Sequence, residues 1–281
     1  MLRSAHELEN YAIRATDGDV GHVKDLYFDD EAWVVRYFVV DTGRWLSSKR
    51  VLISPISVDR PNWIDRVIPV AITKDQVKHS PDIDTDKPVS RQYEIGYLRY
   101  YGYPHYWEGV GYWGDGFAPT MGLSAYGGLV PDSGVTPATY DRPDEDGEDP
   151  WREPGDPHLR SSNAVTSYRI QATDGDIGHV QDLIVDEDTW AIRYIVVNTS
   201  NWWLDNLVVI APEWIDDVSW SGATISVDLT RQQVQDAPPY DPLAELDRTR
   251  ESEIYGYYGR TGYWDHETHG DGIKRSDYDQ F

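Results

Sequence analysis

A twelve-residue stretch that occurs twice constrains this chain more than any other feature. It first reads Ala15-Thr16-Asp17-Gly18-Asp19-Val20-Gly21-His22-Val23-Lys24-Asp25-Leu26, and later Ala172-Thr173-Asp174-Gly175-Asp176-Ile177-Gly178-His179-Val180-Gln181-Asp182-Leu183. Asp17 and Asp174 stand 157 residues apart. The same offset carries Trp33 onto Trp190, Arg36-Tyr37 onto Arg193-Tyr194, Trp45 onto Trp202, Pro55 onto Pro212, Thr73 onto Thr230 and Trp107 onto Trp264. So long a gapless match marks an internal duplication. Whatever the fold is, it is made twice, each time from about a hundred residues, which is enough for a small, thin core.

Within each copy the pattern is that of short strands. Ser4, with Glu7 three positions on, has the form of a capping box ahead of a short turn. Tyr11 to Arg14 is expected to begin the first strand. Thr16-Asp17-Gly18-Asp19 is a turn in which Asp17 bonds the backbone ahead and Gly18 tolerates positive φ. Gly21 marks a bulge or a close backbone approach. His22 to Phe28, Trp33 to Val40, Val51 to Ile53 and Val67 to Ile72 follow as strands, separated by polar turns and Pro55. Thr73-Lys74-Asp75-Gln76-Val77 reads as an N-capped helical turn. Five or so short strands with frequent turns predict a small barrel or sandwich.

The pattern A-T-D-G-x-[IV]-G-x-V-x-D, followed by D-x-x-x-W-x-[IV]-R-Y-x-V-V, a Trp and V-x-I-S-P, resembles the PRC-barrel domain. That family takes its name from the cytoplasmic part of the photosynthetic reaction centre H subunit. A related barrel forms the C-terminal half of a ribosome-maturation factor that binds a ribosomal protein. The resemblance implies a mainly β chain with two tandem PRC-type β-barrels, residues 4–80 and 161–237. It also implies a non-catalytic, protein-binding scaffold or adaptor. Two alternatives stand beside that: an accessory subunit of a photosynthetic or electron-transport complex, and a ribosome-maturation-type factor. This chain lacks the H subunit's membrane helix, and it repeats its barrel where the maturation factor carries a different one. Many relatives have a Pro-Gly turn after the Trp matching Trp45; here Leu46 to Arg50, and Trp203 to Asn206 in the second copy, take that place.

After each barrel comes a tyrosine-rich segment, within residues 81–113 and 238–265. Tyr97, Tyr100 and Tyr101, like Ile254, Tyr257 and Tyr258, fall at helical spacing. A short helix ending at Gly102 or Gly259 is expected. Its aromatics either enlarge the core of their own barrel or dock on a partner. The candidate contact residues are Trp45, Trp202, Trp203, Tyr100, Tyr101, Tyr257 and Tyr258. Residues 114–160 are rich in Gly, Pro and Ser and hold the run Asp144-Glu145-Asp146-Gly147-Glu148-Asp149. They read as a disordered acidic linker that tethers the barrels, and 266–281 as a tail.

The formal charge is −24 over 281 residues. A surface this acidic repels phosphate backbones and anionic lipid, so no nucleic-acid partner is expected. The charge suits a saline cytoplasm or a basic protein partner. There is no cysteine, which removes disulfides, thiolate metal sites and a Cys nucleophile. Met1 to Leu8 has no apolar core of a leader, and no run of about 18 apolar residues occurs. A cytoplasmic location is therefore expected, with no integral membrane segment; peripheral association with a membrane complex stays open. So does a pseudo-dimer of the two barrels or a homo-oligomer. Asp17/Asp19 and Asp174/Asp176 lack a closing Glu for a calcium loop. His22 and His179 stand alone, and His266 and His269 lack further ligands. Arg36 and Arg193, inside apolar strands, are expected to pair with Asp25 or Asp182 or to lie over a ring. No nucleophile constellation, phosphate loop or zinc spacing occurs, so neither catalytic residues, cofactor nor metal is expected.

Overall fold

The computed structural model describes residues 1–46, 49–81, 89–109, 111–119, 158–199 and 206–265. The expected acidic run, most of the linker, the tail, and Trp202 and Trp203 lie outside the described residues.

Two leading strands open the repeats, β1 (Leu2–Ser4) and β7 (Leu159–Ser161). The first repeat continues through β2 (Ala12–Ala15), β3 (Gly18–Asp29), β4 (Val34–Asp41), β5 (Arg50–Ile53) and β6 (Val67–Pro69), in the sheet order β5-β4-β3-β2-β6. The second has β8 (Arg169–Ala172), β9 (Gly175–Asp186), β10 (Ile192–Asn198), β11 (Leu207–Ile210), β12 (Ile215–Ser219) and β13 (Thr224–Val227), in the order β11-β10-β9-β8-β13-β12. Both are antiparallel meanders that take one parallel strand beside their first: β6 along β2, and β13 along β8. The short helices are α1 (Ala5–Leu8), α2 (Lys74–His79), α3 (Arg91–Tyr101), α4 (Ser162–Val165), α5 (Arg231–Gln235) and α6 (Arg248–Tyr258).

The repeated stretch does three jobs in this fold. Gly18 and Gly175 take φ of 142° and 138°, which the tight turn into the long strand requires. Asp17 and Asp174 reach past their own turn: each Oδ1 accepts from a helix N-terminal amide, Lys74 N at 2.8 Å and Arg231 N at 2.7 Å. Thr73 and Thr230 close capping boxes on the same two helices. Gly21 sits at the expected close approach. A Cβ there would lie 2.0 Å from Asp41 O, and one at Gly178 would lie 2.0 Å from Asn198 O.

β4 is buried along nearly its whole length: Val34, Val35, Tyr37, Phe38, Val39 and Val40, together with Arg36, leave only Asp41 half-buried. Its apolar run therefore shows no alternation.

The expected barrel boundaries do not match the compact units. One unit joins Met1–Leu8 to the second repeat from Ser161 onward, and the other is built from Glu9–Arg160. β1 pairs antiparallel with β9 (Leu2 with Asp186, Arg3 with Val185, Ser4 with Ile184), and β7 pairs with β3. Each leading strand thus completes the sheet of the other repeat. In one unit Glu187 N donates to Met1 O at 2.9 Å and Arg3 Nε donates to Glu187 at 2.8 Å. In the other, Asp30 N donates to His158 O at 2.9 Å and Arg160 Nε donates to Asp30 at 2.6 Å. The Ser4 hydroxyl also bonds the Asp182 carboxylate, which accepts His6 N at 3.1 Å. A three-residue strand is too short to carry periodicity. Of Leu2-Arg3-Ser4 only Ser4 has a sequence-based expectation, as a cap, and His158 to Arg160 is expected only as linker.

The linker boundary at residue 114 also moves. Gly111 bridges Gly114 and Trp113 bridges Gly116, so the chain stays folded past the expected end of the extension.

Candidate functional site

In each unit, ionisable groups gather where the tyrosine-rich helix meets the central hairpin. Ser90 caps the start of α3 by accepting from Tyr93 N, and Gly102 ends it in the left-handed conformation. Asp247 and Gly259 do the same for α6. These caps fix which side chains face the sheet. Glu94 and Glu251 are the result: carboxylates on the inward face, 0% and 3% exposed.

A buried carboxylate needs donors, and both have them. Glu94 Oε1 accepts from Tyr37 Oη at 3.1 Å and Tyr106 Oη at 2.5 Å. Its Oε2 lies 3.5 Å from Arg91 Nη1 and bonds His158 Nε2. Glu251 Oε1 accepts from Tyr194 Oη and Tyr263 Oη, each at 2.9 Å, and its Oε2 pairs with Arg248 at 3.2 Å. Burial, then the adjacent carboxylate, push the Tyr37, Tyr106 and Tyr194 phenols well above their ordinary range.

The strand arginine stands next to this carboxylate cluster. Arg36, 1% exposed, donates to Tyr112 O at 2.5 Å and to Asp29 at 3.2 Å, with its guanidinium 3.8 Å from the Tyr106 ring centre and 4.8 Å from Trp113. Arg193 pairs with Asp186 at 3.0 Å and Thr189 at 3.2 Å, 3.9 Å from the Tyr263 ring. The ring contact was expected; the acid is a correction. Asp29 and Asp186 take the place given to Asp25 and Asp182. Asp29 faces Val34 across the hairpin, so Arg36 is its diagonal neighbour two residues on, whereas Asp25 faces Val39. Burial works to raise the Asp29 carboxyl, but Arg36 and the amides of Ala32 and Glu31 outweigh it and hold it below the ordinary value. Asp186 is lowered in the same way, by Arg193 against burial.

Chemically, this arrangement is spent on itself. Every polar atom of Glu94 and Glu251 named above is engaged by a side chain of its own unit. Among the described residues no group of three or more His, Asp or Glu is placed to hold a metal ion. What the cluster does is clamp the tail helix and the segment after it to the hairpin.

The described residues among those put forward as partner contacts fall in two groups; Trp202 and Trp203 lie outside the described residues. Trp45 lies half-buried in a short 3-10 turn, Gly43–Leu46; its indole N–H donates to Val20 O at 2.5 Å, and Lys74 Nζ lies 4.4 Å over its ring. Tyr100 and Tyr257 bond the carbonyls of Gln76 and Gln233, each at 2.9 Å, and Tyr257 is 40% exposed. Tyr101 and Tyr258 pack inward, against Tyr97 at 4.8 Å and Trp214 at 4.6 Å. The sequence reading missed Glu94, Glu251 and His158. The signal for the first two was available: an acid kept at the duplication offset inside an aromatic segment.

Each repeat is a small antiparallel meander with one parallel strand beside its first, and the clamped helix follows it. Residues 2–77 match the family model of the PRC-barrel domain, and the first repeat is a PRC-barrel domain. The chain is 37% identical over 82 residues to an uncharacterized protein of Deinococcus radiodurans; the match covers 29% of this chain and 29% of that protein's length. Among the described residues no helix is long and apolar enough to cross a membrane.

Proposed function

We propose that the chain is a non-catalytic scaffold or adaptor that binds protein through the outer surfaces of two PRC-type barrels. The observation that supports this most is the closure of the polar cluster. The groups that could do acid–base work, the buried Glu94, Tyr37 and Tyr106 and the half-buried His158, bond one another and hold the tail. Recognition is then left to the rims. There the Trp45 turn, with Lys74 over its ring, and the partly exposed Tyr257 offer the aromatic surface that protein interfaces favour. The net charge of −24 selects a basic partner face by steering.

The test is affinity capture with the full chain, followed by mass spectrometry, alongside Trp45→Ala and a Trp202→Ala/Trp203→Ala pair. A basic protein retained by the parent and lost with the tryptophans is the expected result. An identical set of captured proteins from parent and variants would discard the rim as the contact surface. Recovery chiefly with membranes or with ribosomal subunits would redirect the assignment to an H-subunit-like accessory or a ribosome-maturation role.

A further inference from the structure

The leading strands have a consequence that reaches beyond partner binding. Leu2-Arg3-Ser4 and Leu159-Arg160-Ser161 are the same triplet at the duplication offset. They dock on homologous strands, β9 and β3. Their arginines take homologous acids, Glu187 at 2.8 Å and Asp30 at 2.6 Å, and the carbonyl before each triplet accepts the amide of that same acid at 2.9 Å. Both arginines and both acids are less than one-fifth exposed. Such a site recognises a strand by backbone pairing and by one half-buried arginine contact, the manner in which an extended segment adds to a sheet.

We propose that this edge of each sheet is a receptor for a Leu-Arg-Ser strand supplied by the other repeat, and that it accepts the strand equally from a separate polypeptide. The repeats are then two halves that hold each other by reciprocal strand exchange, and the covalent link between them is dispensable once they have folded. The partner is specified by chemistry: a chain whose first strand presents an arginine one residue after a leucine, docked where an acidic residue follows the long strand.

The test uses the full chain with a protease site inserted between Gly134 and Val135. After cleavage the two pieces are expected to co-migrate at the mass of the intact chain. Reversing the arginines, Arg3→Glu with Arg160→Glu, sets like charges against Glu187 and Asp30 and is expected to weaken the association of the cut pieces by roughly tenfold or more. Exchanging the charges within each pair, by adding Glu187→Arg and Asp30→Arg, is expected to restore co-migration. That exchanged variant also gives the reading if the simple reversal fails to fold. Separation of the parent into two folded pieces on cleavage would overturn the proposal. So would cut pieces that stay together with the arginines reversed, because another surface would then be holding them.

Discussion

The two repeats hold the same polar contacts at the buried carboxylate and the strand arginine, and differ in what surrounds them. Glu94 and Glu251 each take two tyrosines and an arginine, and Arg36 and Arg193 each take an aspartate and a ring. Around them the packing is exchanged. Tyr97, whose hydroxyl accepts Ser54 N and donates to Leu52 O, gives way to Ile254; beside it Leu98 becomes Tyr255 and Ser57 becomes Trp214, whose rings meet at 5.2 Å. Tyr103, stacked on Tyr101, becomes Arg260 while Ala71 becomes Asp228, and those two pair at 2.9 Å. A core accepts a different set of apolar shapes when total volume is kept, whereas a buried charge that loses one donor bears the full cost of desolvation. The duplicated chain has diverged where divergence is tolerated.

One difference touches the carboxylate itself. The residue before the exchanged triplet is His158 in one unit and Met1 in the other. His158 gives Glu94 a donor that Glu251 has no counterpart for among the described residues.

These likenesses and differences can be tested in order of size. The largest effect concerns both units alike. The phenols of Tyr37, Tyr97, Tyr106, Tyr194 and Tyr255 are raised above their ordinary value, first by burial. Unfolded tyrosines ionise near pH 10 while the folded ones resist. Their contribution is therefore fully present below pH 10 and is lost above it, at about 1.4 kcal/mol per pH unit for each tyrosine. Urea titrations between pH 8 and 11.5 should show a flat region and then a collapse; a gradual decline starting at pH 8 would contradict the burial.

Next, Glu94→Gln should cost about 3–5 kcal/mol, since it strips a buried charge from four partners. Glu251→Gln, with three, should cost about 2–3 kcal/mol. Denaturant unfolding followed by tryptophan fluorescence checks both, and equal losses would show that His158 adds nothing. Gly21→Ala and Gly178→Ala should each cost about 2–3 kcal/mol, the second somewhat more, because the backbone contact is the same in both units and Gly178 also takes a φ of 146°. A clearly smaller loss at Gly178 would mean that its hairpin yields where the first does not. The smallest effect is His158→Met, which copies the second unit's residue into the first. It should cost about 1–2 kcal/mol in the parent and close to nothing once Glu94→Gln is present, a coupling that a double-mutant cycle reads directly.

Much of this was legible from residue order alone. The turn at Asp17-Gly18, the tight spot at Gly21, the N-capped helical turn at Thr73 and the helix ending at Gly102 all follow from local chemistry, and all are present. Arg36 over an aromatic ring was legible because a cation inside an apolar strand has few resting places. Its acid was missed because the choice depends on hairpin register, which a two-residue error in the turn would shift. Glu94 was passed over because helical spacing was traced through Tyr97, Tyr100 and Tyr101 and not back to the acid one turn before them. The exchange of β1 and β7 was hidden for a different reason. Three residues carry no period, and nothing local records which of two similar sheets a strand joins.

That exchange also sets a timetable for synthesis. Arg3 finds Glu187 across 184 positions of sequence, and β3 cannot receive β7 until residue 161 has left the ribosome. The usual order, in which an N-terminal domain finishes before the next begins, is closed to this chain. At about 5–20 residues per second, the first hairpin, complete at Asp41, waits roughly six to twenty-four seconds for its last strand, and the N-terminal segment waits longer still. Throughout that interval the nascent chain exposes an open strand edge, the situation in which unrelated chains pair by mistake. An acidic chain with a net charge of −24 is well suited to that wait, because its own copies repel one another until the right strand arrives.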